Sequence, residues 1–107
     1  MTQPDFSYEL TEQPPRLTLH GELDEAACVE MRTLIDDASA GLTRDLAVVL
    51  SDVEFMPSEA VGVVAKARAT AARNGATLTL VAADGSVAQR VLSICGLTHE
   101  PGVPDGS

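Results

Sequence analysis

Among the side chains that could do chemistry, one hydroxyl is placed to matter. In Phe55-Met56-Pro57-Ser58-Glu59-Ala60-Val61-Gly62, the residue before a proline is pushed into extended backbone. A strand is therefore expected to end at Met56 and a helix to start at Ser58. The N-terminus of a helix gathers unpaired backbone N–H groups and roughly half a positive charge, so a phosphate on Ser58 would be tolerated locally yet change the surface sharply. The plainer expectation for the same residue is structural: Ser58 as the N-cap, its hydroxyl accepting from the Ala60 or Val61 amide, an interaction typically worth about 1 kcal/mol.

The other reactive groups form no catalytic constellation. His20 falls on the polar side of an alternating strand and His99 lies near the end of the chain, neither with an Asp or Ser partner evident in the sequence, and both are expected to be ordinary hydrogen-bonding histidines. The acidic pairs Asp24-Glu25 and Asp36-Asp37 lack the alternating oxygen ligands of a calcium loop, and Gly85-Ser86 is a helix cap rather than a phosphate cradle. A hydrolytic Ser58 would need a base, and Lys66 is two helical turns away. The chain is expected to be no enzyme and to hold no metal or cofactor. Cys28 and Cys95 sit in apolar helical patterns far apart in sequence; they are expected to be buried free thiols, with a redox pair as the sharper alternative.

The elements that must position Ser58 are legible as periodicity. Phe6, Tyr8 and Leu10 alternate with polar residues, Pro14-Pro15 turns the chain, and Leu17, Leu19, Gly21 and Leu23 continue as a second strand of a hairpin. Asp24 opens a helix with Ala27, Met31, Leu34, Ile35 and Ala38 on one face, Leu23 and Cys28 have staple spacing around that cap, and Gly41 ends it. The apolar run Leu46–Leu50 predicts a central strand. Ala60, Val64, Ala67 and Ala71 stripe the next helix, which stops at Asn74-Gly75. Leu78, Leu80 and Ala82 form a further strand, and Ser86 with Gln89 has capping-box spacing before a third helix that Gly96 stops. The order β-β-α-β-α-β-α predicts an α/β domain with a mixed sheet of four to five strands and helices mainly on one face. Residues 1–107 are expected to be one domain, ordered over about 5–99 with a flexible tail over 100–107.

Charge excludes some partners. Sixteen acids against seven Lys and Arg give a formal net charge of −9, which offers no basic field to a nucleic acid. The acids concentrate in residues 1–59, with 13 against 3 bases, whereas residues 60–97 hold Lys66, Arg68, Arg73 and Arg90 against Asp84 alone. No apolar stretch approaches the roughly 20 residues that cross a bilayer, and Met1-Thr2-Gln3-Pro4-Asp5 does not open a secretory signal. A soluble, cytoplasmic location without membrane contact is the expectation.

Leu19-His20-Gly21-Glu22-Leu23-Asp24 leading into a helix, Leu50–Met56 leading into Ser58 and Gly62, and Ser86-Val87 through Gly96-Leu97 together resemble the STAS domain of bacterial anti-sigma factor antagonists and sulfate transporter tails. The resemblance runs from about Phe6 to His99. It implies a protein that binds an anti-sigma factor with serine kinase activity and so frees a sigma factor, lets go when Ser58 is phosphorylated, and is reset by a phosphatase. It further implies a partner surface of Asp24, Met56, Pro57, Ser58, Glu59, Val61 and Gly62, on a monomer or weak dimer. Where the family typically has Asp-Ser-Ser/Thr-Gly, this chain has Pro57-Ser58-Glu59-Ala60. Those departures keep open a module of the same fold that binds without switching, as a subunit beside a transporter ATPase or in a signalling complex.

Overall fold

The computed structural model describes residues 6–102; the expectations for residues 1–5 and 103–107 lie outside them. Seven elements follow one another: β1 (Phe6–Glu12), β2 (Pro15–Glu22), α1 (Glu25–Ala38), β3 (Leu46–Phe55), α2 (Ser58–Arg73), β4 (Leu78–Val81) and α3 (Val87–Ile94). The sheet runs β1-β2-β3-β4, with β1 antiparallel to β2 and the remaining pairs parallel. Right-handed crossovers in a sheet that grows in one direction bring α1 and α2 to the same face, where the two helices pack against each other. The α/β mixed sheet expected from the sequence is therefore the observed one.

The core is aliphatic. Leu17, Leu19, Leu23, Met31, Ile35, Val48, Leu50, Val64, Leu80 and Leu92 are all sealed from solvent, each worth roughly 1.5–3 kcal/mol of transfer free energy where a large side chain is fully buried. β4 pairs with only the first four residues of β3, Leu46–Val49. Beyond that point α3 packs beside β3, and the Ala83 amide donates to Ser51 Oγ at 2.9 Å.

Helix ends follow the residues available to close them. Gly75 and Gly96 take left-handed backbone, at φ 82° and 74°, and each is followed by the bond of a Schellman stop, Ala76 N–H to Ala71 O at 2.8 Å and Leu97 N–H to Leu92 O at 2.9 Å. α1 stops earlier than Gly41: Ser39 is its C-cap, and its buried hydroxyl donates to Ile35 O at 2.6 Å and accepts from the Leu42 amide at 2.9 Å. At α3 the expected capping box is one-sided. Ser86 Oγ accepts from Gln89 N–H at 3.1 Å, but the Gln89 amide reaches forward to Ser93 Oγ at 3.2 Å instead of back to the cap.

Glu100 pairs with the sheet edge. Its N–H donates to Leu80 O and its carbonyl accepts from the Ala82 amide, both at 2.8 Å, so it forms a one-residue parallel bridge beside β4.

Candidate functional site

The carboxyl ends of the parallel strands gather the residues that the sequence singles out, as open α/β sheets commonly do with their binding sites. β2 runs into Asp24, β3 into Ser58. The Leu23 amide donates to the Phe55 carbonyl at 2.9 Å, which ties the two turns side by side. Asp24 is the N-cap of α1 as expected, its Oδ1 accepting from the Ala27 amide at 2.9 Å. Leu23 and Cys28 are both buried around that cap, in the positions of a hydrophobic staple.

At α2 the cap differs from the expected one. Pro57, with φ −75° and ψ 171°, is the N-cap, and Ser58 is the first helical residue. Proline already has a φ compatible with the extended cap conformation, and its carbonyl accepts from the Ala60 and Val61 amides at 3.0 and 3.2 Å. No side chain caps the helix. Ser58 is exposed, at the positive end of a 16-residue helix, with its hydroxyl left over.

The residues expected to face a partner divide by burial. Ser58, Glu59, Gly62 and Asp24 are exposed; Pro57 and Val61 are half-buried; Met56 is buried and supports the turn from below. Phe55, which sequence reasoning placed only in the strand, is 48% exposed. Val29 in the second turn of α1 and Val87 at the start of α3 are exposed as well, so this end of the sheet carries apolar side chains around the turns. A groove of about 460 Å³ continues from it between α1 and α2, over Ile35 and Val63 and past Arg32, Glu59, Gly62 and Lys66.

The two cysteines are unlike each other. Cys28 is buried and its thiol lies 3.5 Å from Leu23 O, whereas Cys95, expected to be buried too, is the exposed C-cap of α3; both are free thiols. Burial pushes the Cys28 thiol up, the Glu59 and Asp24 carboxylates push it further, and Arg32 opposes them. Cys28 therefore sits under the Asp24 turn, against Leu23 O.

One polar cluster escaped the sequence. His20 Nδ1 lies 3.2 Å from Asp52 Oδ2, and Nε2 lies 3.9 Å from Glu9 Oε2. Thr18 pairs with Val49 but His20 pairs with Asp52, so β3 gains one residue on β2 there. Such a bulge re-aims the side chains that follow it: the buried positions of β3 pass from Leu46, Val48 and Leu50 to Val53, and Asp52 comes opposite His20. The two imidazole nitrogens meet different carboxylates, and among the described residues no three His, Cys, Asp or Glu side chains are grouped to hold a metal ion. His99 makes the local contact expected of it, Nδ1 to Leu97 O at 3.0 Å. No helix among the described residues is long and apolar enough to cross a membrane.

Comparison with known proteins follows this geometry. An anti-sigma factor antagonist from Mycobacterium paratuberculosis superposes with a TM-score of 0.80 at 19% identity, over 98% of this chain and 94% of that one. The antagonist SpoIIAA in its unphosphorylated form gives 0.65 at 26% identity, over 86% and 81%. The Bacillus cell fate determinant SpoIIAA in the phosphorylated form gives 0.60 at 24% identity, over 86% and 84%. Comparison with curated proteins yields no match. The family model described as Mlab, STAS domain, matches residues 6–103, and the chain belongs to the STAS domain family.

Proposed function

We propose that this protein is an anti-sigma factor antagonist without enzymatic activity of its own, that it docks on an anti-sigma factor through the Asp24 and Ser58 turns, and that phosphorylation of Ser58 releases it. The observation that carries this reading is the free Ser58 hydroxyl: Pro57 occupies the N-cap position and no side chain caps the helix, so Ser58 is exposed with a hydroxyl the fold does not use. The structural similarity to an antagonist described in both unphosphorylated and phosphorylated forms supports the same role. The partner kinase would hold ATP and pass its γ-phosphoryl group to Ser58 Oγ, leaving ADP. A phosphate carries about −1.5 to −2 charges at neutral pH, and with the Glu59 carboxylate next to it in sequence that charge would not desolvate in an interface.

Glu59 and Pro57 also favour a second reading, a STAS subunit that binds constitutively, because Glu59 already places a negative charge beside the serine. One experiment separates the two. The protein is incubated with its cognate anti-sigma kinase and ATP, and intact masses of wild type and Ser58→Ala are compared. The switching reading expects one phosphate on wild type and none on Ser58→Ala; wild type that binds the partner but stays unmodified favours the constitutive subunit.

A further inference from the structure

β1 is an open edge of the sheet, and an unfilled trough runs beside it. Tyr8 and Leu10 pair with Leu19 and Leu17 and so share the side of the sheet on which those residues are buried, yet each is 44% exposed. Leu10 and Glu12 line a cavity of about 260 Å³ together with Asp37 and Ala38 of α1. Spacing of three and four residues puts Glu30 and Leu34 on the same stripe of α1 as Asp37. The trough therefore sets apolar Leu10, Pro15 and Ala38 beside the carboxylates of Glu12 and Asp37, with Glu30 further along the same stripe of α1. Arg44 also lines the cavity, with its guanidinium directed at Ala38 O at 3.4 Å.

The matching shape sits on α3, next to the β3–β4 side of the sheet. α3 buries Ala88 and Leu92, packs half-buried Val91 against the same core, and leaves Val87 and Ile94 exposed at i and i+7, with Ile94 79% exposed. Arg90 lies on that stripe, exposed and in no ion pair among the described residues, whose pairs are those of His20. Val87 to Ile94 spans about 10 Å at 1.5 Å per residue, and Tyr8 to Glu12 spans about 13 Å at 3.3 Å per residue. A ridge carrying Arg90 and a trough carrying carboxylates, of similar length, thus lie apart in the fold, α3 beside β3 and the trough at the β1 edge.

We propose that α3 of one copy lies in the β1–α1 trough of a second copy, so that the protein self-associates head to tail. Val87 and Ile94 cover Tyr8 and Leu10, and Arg90 meets the acidic rim. Symmetric alternatives place like charges together, Arg90 on Arg90 or Glu12 and Asp37 on their own copies, which is unfavourable across an interface. A contact between two different patches does not close on itself. Chains longer than two therefore follow as concentration rises.

Sedimentation equilibrium on the full chain tests this. Wild type is expected to show an average mass that climbs past that of a dimer with concentration, and that falls back at high salt because the rim charges are screened. Ile94→Glu blocks the ridge, Leu10→Glu blocks the trough, and each alone is expected to be monomeric with unchanged circular dichroism. Mixed in equal amounts, the intact ridge of one meets the intact trough of the other, and the mass is expected to rise to a dimer and stop. Arg90→Glu, which removes no core contact, is expected to weaken association about tenfold, or roughly 1.4 kcal/mol. Wild type that stays monomeric into the millimolar range overturns the proposal and leaves the trough to a basic helix of another protein. A mixture of the two blocked variants that stays monomeric overturns it equally, since a two-fold interface behaves that way.

Discussion

The Leu23 amide donates to the Phe55 carbonyl at 2.9 Å, so the last residue before the Asp24 cap and the last residue of β3 are held by one bond. The two turns of the candidate site share that link, and a disturbance of either helix start reaches the other. Asp24→Ala removes the acceptor of the Ala27 amide and is expected to cost about 1 kcal/mol, or a melting temperature lower by roughly 4–8 °C for a domain near this size. Thermal unfolding followed by circular dichroism measures it. A variant as stable as wild type would show that the cap is dispensable.

The Cys28 thiol reports on the packing below the Asp24 turn. Its pKa in the folded protein is raised above the ordinary 9.0 by burial and by Glu59 and Asp24, so the folded state holds the proton more tightly than the unfolded chain. Its contribution to stability is fully present below about pH 9 and is lost as pH rises through the folded value. Cys28→Ala removes that titration: the stability of wild type relative to the variant is expected to fall above pH 9 in urea melts. With a thiol reagent at pH 8, exposed Cys95 is expected to react at once and Cys28 only on unfolding, and two fast-reacting thiols per chain would contradict the burial.

The starts of the helices were legible where one residue had one available role. Asp24 before an apolar face could only cap, and it does. At Pro57-Ser58 the serine was the expected cap, but a proline with suitable backbone angles takes that position, and the helix begins one residue earlier than a Ser58 cap would have it. His20 and Asp52 were illegible for another reason. Their meeting depends on the extra residue in β3, and counting by twos along a strand cannot reveal a bulge. Tyr8 and Leu10 follow the apolar alternation of a core strand, but α1 covers β2 and β3 and leaves the edge strand open. Exposure of an edge is a property of strand order, which periodicity does not contain.

The His20–Asp52 contact is expected to be worth little to stability. Asp52 is exposed and His20 half-buried, and exposed ion pairs typically contribute under about 1 kcal/mol. A double-mutant cycle of His20→Gln and Asp52→Asn in urea unfolding, run at low and high salt, is expected to give a coupling below that figure and smaller at high salt. A coupling of several kcal/mol would mean that the cluster ties β1, β2 and β3 together far more strongly than its exposure allows.

Gly62 separates docking from folding. It lies within α2, where glycine costs roughly 0.5–1 kcal/mol relative to alanine, and an added Cβ would meet nothing within 4 Å. Neither a left-handed backbone nor a close neighbour requires it. Gly62→Ala is therefore expected to raise stability by about that amount, seen as a higher denaturation midpoint at unchanged slope. Gly62 also borders the groove between α1 and α2, next to Glu59, so a larger side chain would fill space that the free protein leaves open. Gly62→Leu is expected to fold at least as well as wild type and to bind the anti-sigma partner at least tenfold more weakly, about 1.4 kcal/mol. Calorimetry on both variants distinguishes the outcomes: unchanged partner affinity in Gly62→Leu would confine the docking surface to the Asp24 and Ser58 turns themselves.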